Sequence, residues 1–194
     1  SSAASDVYKR QVEMVYEDLT PSKIMTRKAF ENAVIVTSAI GGSSNCTTHL
    51  SAIAKHMGIK FDLSDWQKLG HKIPLLVNCQ PAGEYLMESF HRAGAIPAVM
   101  KELIKNKKIH TNIKTVTGKT VGENLRKKID VDNKVIKSFK NSLAKNAGFL
   151  VMKSNFFSSA IMKTSVISKD FRERYLSDPK HLNVFNGEAV VFEG

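Results

Sequence analysis

The chain has 194 residues, 42% of them apolar, and 29 Lys and Arg against 18 Asp and Glu give a net charge of +11. That length suits one large domain or one domain plus part of another, and the apolar content excludes a disordered chain. No run of about 18 apolar residues occurs, which excludes a membrane-spanning helix, and two cysteines, Cys46 and Cys79, cannot build a disulfide framework.

The cysteines read as free thiols of a reducing compartment, the cytoplasm, and no secretory signal pattern opens the chain. The positive charge is local. Between Lys101 and Lys153 there are fourteen basic residues and four acids, Glu102, Glu123, Asp130 and Asp132. Only Phe139 and Phe149 are aromatic in that window, so a stacking platform for nucleic acid is poorly supplied; no nucleic-acid partner is expected, and a basic nucleic-acid-binding module stands as the rival reading from another class. A solvated lysine face and a surface that attracts small anions both fit.

Residues 1–11, SSAASDVYKRQ, show no apolar periodicity and resemble a translated cloning or sequencing adapter, so they are set aside as a non-native tag. Pro21 and Ser22 lead into a helix on which Ala29, Phe30, Ala33, Val34 and Ala39 recur, with Thr26 as its expected N-cap. Gly41-Gly42-Ser43-Ser44-Asn45 interrupts it. A second helix is predicted from about Cys46 to His56, followed by Gly58 as a C′ residue. Asp62 or Ser64 caps a short helix through Trp66 and Leu69 that ends near Gly70.

Pro74 to Val77 reads as a buried strand, and Asn78 to Gly83 as a loop. Helices are predicted over Glu84–Arg92, Ile96–Ile104 and Val121–Ile129, with a turn at Thr117–Thr120. After about Lys145 the period changes. Phe149–Met152, Ala160–Ile167 and Ala189–Phe192 are predicted strands. Helices first and strands last imply an α/β region over 12–145, then the start of a β-rich domain over 146–194. The chain stops directly after a strand-like run, as a piece of a longer protein would.

The glycine–serine turn is the best candidate for chemistry. Its amides would open the second helix, where free N–H groups and the helix dipole favour anions. Ser43, Ser44 and Asn45 add side-chain donors for a carboxylate or a hydroxylated substrate. An ordinary interhelical turn with an N-cap is the alternative.

The other motifs are weaker. Gly118-Lys119-Thr120 looks like the end of a phosphate-binding loop, but Ile113 stands where that motif needs its first glycine. Neither cysteine lies in a CxxC or CxxH pattern, so no metal ligand is assigned. Of the histidines, His49 lies on the helix mouth beside Asn45 and His91 at a helix end; surface or capping roles suit them. Glu84 and Glu88 share a helical face, as many surface helices show. No catalytic residue is assigned.

Several ordered blocks carry a resemblance. Ala29-Phe30-Glu31-Asn32-Ala33 is followed by Ala39-Ile40-Gly41-Gly42-Ser43-Ser44-Asn45 and His49-Leu50. Next come Pro81-Ala82-Gly83-Glu84-Tyr85, Met87-Glu88 and Phe90 to Val99, then Thr115 to Thr120 with Glu123-Asn124-Leu125. Gly148 to Asn155, Lys163-Thr164 and Phe185 to Phe192 complete the series. Together they resemble the central segment of the dihydroxy-acid and sugar-acid dehydratases, the IlvD/Edd family, across nearly all of Thr20 to Gly194. Ser44 replaces the family's usual threonine and keeps its hydroxyl. Gly70 to Asn78 and Arg174 to Pro179 look more like the sugar-acid branch, with arabonate and xylonate dehydratases nearest and the branched-chain dihydroxy-acid branch second.

The resemblance implies the end of an α/β domain followed by the start of a C-terminal β-barrel. It implies a hydro-lyase acting on a small-molecule sugar acid, an aldonate, to give a 2-keto-3-deoxy acid. It also implies an iron–sulfur cluster held by three cysteines, a nearby magnesium ion, and a homo-oligomer at full length. The family's cysteine motifs lie before the segment seen here, so none of these ligands carries over and the chain alone is expected to be inactive. Ser43, Ser44 and Asn45 are the residues expected to bind substrate.

Overall fold

The structure, a computed structural model, describes residues 2–173 and 187–192. Arg174 to Pro179, His181 and Phe185-Asn186 lie outside the described residues. In chain order the helices are α1 (Ser2–Tyr16), α2 (Pro21–Ile24), α3 (Arg27–Ala39), α4 (Asn45–His56), α5 (Leu63–Asp65), α6 (Met87–Arg92), α7 (Ala95–Lys105), α8 (Val121–Asn124) and α9 (Lys169–Phe171). A π-helical turn, Trp66–Gly70, extends α5. Strands β1 (Phe149–Met152) and β2 (Ala160–Lys163) form an antiparallel pair with Phe149 opposite Lys163 and Met152 opposite Ala160.

Helix α3 divides the core. Phe30 and Val34 face one apolar cluster with Ala54, Phe61, Trp66 and Phe149. Ile35 and Ala39 face a second, built from Ile73, Leu76, Val77, Phe90, Val99, Leu103 and Ile136 among others. The first cluster is an aromatic chain. The Phe30 and Phe61 centroids are 5.5 Å apart, Phe61 and Trp66 6.4 Å, and Trp66 and Phe149 5.0 Å in an edge-on pair. Edge-to-face pairs add about 0.5–1.5 kcal/mol each beyond area burial.

Several predicted elements take shorter or different forms. Residues 2–16, including the stretch set aside as a tag, form one continuous helix in which Arg10 pairs with Glu13 and Glu17. Thr26 stands at the N-cap of α3, but its hydroxyl is buried without a partner. Between Asp62 and Ser64, it is Asp62 that caps α5. Its carboxylate accepts from the Ser64 amide at 2.8 Å while Asp65 accepts from the Asp62 amide at 2.9 Å. The predicted strand at Pro74–Val77 is a buried extended segment with single bridges, Leu75 to Ala144 and Val77 to Ile136. Glu84 and Tyr85 remain outside α6 because Tyr85 pairs with the loop, donating to Asn78 and accepting from Gln80.

Helix α8 stops at Asn124 instead of reaching Ile129. A Thr120–Glu123 capping box holds its single turn, and the Lys127 carbonyl accepts from Lys101 Nζ at 2.6 Å, outside any helix ladder. The second strand ends at Lys163. Thr164 Oγ donates to the Gly148 carbonyl at 2.6 Å, which turns the chain into a 3-10 turn, Thr164–Val166. Ala189–Phe192 does not form the expected third strand: Val190, Val191 and Phe192 are exposed and no described strand pairs with them.

β1 is clamped to the helical region by a close backbone approach. A Cβ on Gly148 would stand 2.0 Å from the Gly70 carbonyl oxygen, so only glycine fits. Gly148→Ala is expected to destabilise the chain by about 3 kcal/mol or more, since overpacked backbone has no side chain to move aside. Chemical denaturation measures this; a loss under about 1 kcal/mol would show that the two segments separate easily.

Candidate functional site

Helix α3 ends as a Schellman motif. The Gly41 amide donates to Ser38 O at 3.2 Å and the Gly42 amide to Thr37 O at 2.8 Å. Gly41 has φ +64°, a conformation glycine adopts without penalty, and its Cα faces Leu75 and Ser165. The two glycines therefore have a structural role, since they stop one helix and turn the chain into the next.

Ser43, Ser44 and Asn45 follow on the surface at the N-terminus of α4. Ser43 Oγ accepts from the Asn45 amide at 3.2 Å, while Thr47 Oγ donates to the Ser44 carbonyl at 2.7 Å. Ser44 is the N-cap residue, yet its hydroxyl makes no cap bond. The three predicted residues are thus brought together and exposed, with Ser44 Oγ and the Asn45 side-chain amide free of internal partners among the described residues. His49 is exposed one turn further along α4.

Two residues given no role by the motifs lie near the glycine turn and the start of α4. β2 ends at Lys163, half-buried beside Cys46; burial pulls its ammonium pKa down and the nearby thiol acts in the opposite direction. Ser165, in the turn after β2, has a buried hydroxyl with no partner, 3.4 Å from the position a Cβ on Gly41 would take. The available signal was Lys163 itself, the one charge in the predicted strand 160–167.

The remaining motifs resolve into structure. Gly118-Lys119-Thr120 is a turn whose threonine caps α8 through the Glu123 amide at 3.2 Å. A separate polar network joins Asp65, Arg27, Glu31 and His110. Arg27 bonds both carboxylates and lies 5.3 Å over the Phe61 ring, and His110 Nε2 is 2.7 Å from Glu31. Asn32 holds the His110 backbone with two bonds of 2.8 Å. Every charge there is paired, so it anchors the 109–120 loop on α3.

The cysteines do not meet. Cys46 packs beside the aromatic cluster, whereas Cys79 belongs to the other cluster, donates to the Leu86 carbonyl at 3.6 Å, and has its thiol pKa raised by burial. Among the described residues no three His, Cys, Asp or Glu gather into a set able to hold a metal ion. A cluster bound by three cysteines therefore does not fit this chain's own residues. No helix of the described residues is long and apolar enough to cross a membrane.

Comparison with known proteins decides the family. The sequence profile of the dihydroxy-acid/6-phosphogluconate dehydratase N-terminal domain matches residues 1–124. The chain belongs to this dehydratase family. It is 48% identical over 185 residues to a D-xylonate dehydratase of Caulobacter vibrioides, covering 95% of this chain and 31% of that protein. It is 40% identical over 186 residues to an L-arabinonate dehydratase of Rhizobium leguminosarum bv. trifolii, covering 95% and 30%. A dihydroxy-acid dehydratase of Ignicoccus hospitalis is 40% identical over 185 residues, covering 95% and 32%. The chain thus spans about a third of the length of these dehydratases, and the two sugar-acid names among them match the branch expected from Gly70 to Asn78.

His71, just past the π-helical turn, offers a pH readout of this region of the dehydratase chain. Its Nδ1 is buried without a partner, and burial, followed by the charges of Lys72 and Arg172, lowers its pKa from 6.5. A depressed folded-state pKa means the neutral ring is favoured by folding. Stability is therefore complete above about pH 6.5 and falls as the pH drops through that value toward the lower folded-state pKa. Unfolding midpoints at about pH 8 and about pH 5.5 measure the slope, and His71→Gln is expected to flatten it. An unchanged slope would assign the pH dependence to other groups.

Proposed function

We propose that the chain is the central segment of a hydro-lyase that dehydrates a sugar acid, an aldonate, to a 2-keto-3-deoxy acid. Residues 12–145 supply the end of its α/β domain and residues 146–194 the first strands of its β-barrel. The exposed donors of Ser43, Ser44 and Asn45 at the α4 N-terminus carry this reading, because hydroxyl and amide groups there suit a carboxylate beside a polyol. The 48% identity to a D-xylonate dehydratase supports the sugar-acid substrate.

In the overall reaction a proton leaves C2, the C3 hydroxyl departs as water, and the enol becomes a ketone. This chain's part is to bind and orient: Ser44 and Asn45 hold substrate hydroxyls or the acid group. The iron–sulfur cluster and magnesium ion expected of the whole enzyme are held by residues other than those described, so no step is assigned to them here. The assembled protein is a homo-oligomer of the cytoplasm, in keeping with two free thiols. A branched-chain dihydroxy acid is the second candidate substrate, on the 40% identity to a dihydroxy-acid dehydratase. It shares the carboxylate and vicinal diol that the turn would read.

Ser44→Ala and Asn45→Ala in the complete enzyme should each lower kcat/KM by roughly tenfold or more, about 1.4 kcal/mol of transition-state stabilisation, with the melting temperature moving only a few degrees. Unchanged activity with lowered stability would leave the turn as a helix connector alone. The 194-residue chain by itself, treated with iron and sulfide, should acquire no stable visible absorbance and release no keto acid. A stable cluster with turnover would overturn the segment reading.

A further inference from the structure

We propose that Thr47 is the positioning residue of the serine turn: it holds Ser44 in a helical conformation and so keeps the Ser44 hydroxyl clear of the helix end and available to a ligand. This rests on the reading of Ser44 as a substrate contact, and it names the residue that sets that contact.

A serine at the start of a helix has two uses for its hydroxyl. With an extended backbone, the side-chain oxygen reaches back and accepts from an amide of the first turn. Asp62, Thr120 and Ser168 work this way. Their ψ angles are −176°, 162° and 154°, and each accepts from an amide of the helix it opens. Ser44 does not. At φ −63° and ψ −21° it is already helical, and its hydroxyl makes no cap bond.

The direction of its carbonyl gives the reason. The Ser44 carbonyl accepts two bonds from one residue, the Thr47 amide at 3.1 Å and the Thr47 hydroxyl at 2.7 Å. An extended ψ at Ser44 would turn that carbonyl away and break both. Thr47 is buried, so its hydroxyl would then lose its partner without gaining water, which is costly. Capping falls to Ser43, whose Oγ accepts from the Asn45 amide at 3.2 Å and whose carbonyl accepts from the Cys46 amide at 3.1 Å. The first amides of α4 are satisfied without Ser44 Oγ, which stays exposed. A threonine bond three residues back is common in helices. Here its acceptor belongs to the residue that carries the uncommitted hydroxyl.

The test compares Thr47→Val, which removes the hydroxyl and keeps the shape, with Thr47→Ser, which keeps the hydroxyl. In the 194-residue chain, Thr47→Val should move the Ser44 Cα and Cβ NMR shifts from helical toward extended values, and Thr47→Ser should leave them in place. In the complete enzyme with D-xylonate, Thr47→Val should lower kcat/KM about fivefold and Thr47→Ser should restore it. The double variant Ser44→Ala/Thr47→Val should be no worse than Ser44→Ala alone, because both act through one hydroxyl. A purely structural threonine gives another pattern: a lower unfolding midpoint, unmoved kcat/KM and no change at Ser44. Should Thr47→Val fail to fold, Thr47→Ala, which also lacks the hydroxyl, decides in its place. Unmoved Ser44 shifts, or losses that add in the double variant, overturn the assignment. Full activity of Thr47→Val where Ser44→Ala is impaired rejects it alone. Full activity of Ser44→Ala rejects the substrate reading of the turn and this assignment with it.

Discussion

The contact between Gly148 and the Gly70 carbonyl sets the distance from which everything else follows. Gly70 itself is crowded by Ser38, whose Oγ would stand 2.5 Å from a Cβ at that position. The π-helical turn and the start of β1 therefore meet backbone to backbone, with the Ser38 side chain of the last turn of α3 set against both. That approach brings Phe149 onto the edge of Trp66 and completes the aromatic chain that starts at Phe30. It also delivers β2, hydrogen-bonded to β1, to the side of the Gly41 turn. Packing thus brings Ser165 against Gly41 and Lys163 near Cys46, although they are far apart in sequence.

Crowding has a cost in polar satisfaction. The hydroxyls of Ser38 and Ser165, His71 Nδ1 and Trp66 Nε1 are all buried without partners, and each belongs to or borders this junction. Ordinary interiors leave few such groups. Trp66 lies inside the aromatic cluster, where its contacts with Phe61 and Phe149 offset the missing bond, and Ser38 Oγ is enclosed between Gly70 and Gly148. Ser165 is buried against Gly41, at the point where α3 stops and beside Leu75.

The helical part of the fold was legible because its signals are local. Apolar spacing places α3, α4 and α7, and Asp62 and Gly58 mark ends where they were expected. Elements that depend on distant partners were harder to read. Pro74–Val77 has the composition of a buried strand, but its neighbours Ala144 and Ile136 each meet it at one residue, so no ladder develops. Val121–Ile129 has helical residues, yet after the capping box only Leu125 and Ile129 are apolar, too few to hold the Arg126–Lys128 run against a core. Ala160–Ile167 alternates as a strand should, and a side-chain bond from Thr164 to Gly148 ends it early. The same holds for the site. Ser43, Ser44 and Asn45 stand out because they are adjacent, whereas Ser165 comes against Gly41 and Lys163 near Cys46 only through β1–β2 register and the glycine contact.

Gly41 and Gly42 show how a motif divides between structure and chemistry. Both have amides committed to the carbonyls of Ser38 and Thr37, so neither N–H is available to a ligand. A Cβ on Gly42 would stand 2.6 Å from Thr37 Cγ2, which explains the second glycine by packing alone. The next amides are committed as well, Asn45 to Ser43 Oγ, Cys46 to the Ser43 carbonyl and Thr47 to the Ser44 carbonyl, so what this turn has left for a ligand is the side chains of Ser44 and Asn45. A helix stop needs the glycines and nothing further, and it has no use for the Ser44 hydroxyl, which is exposed at the start of α4 and engaged in no cap bond.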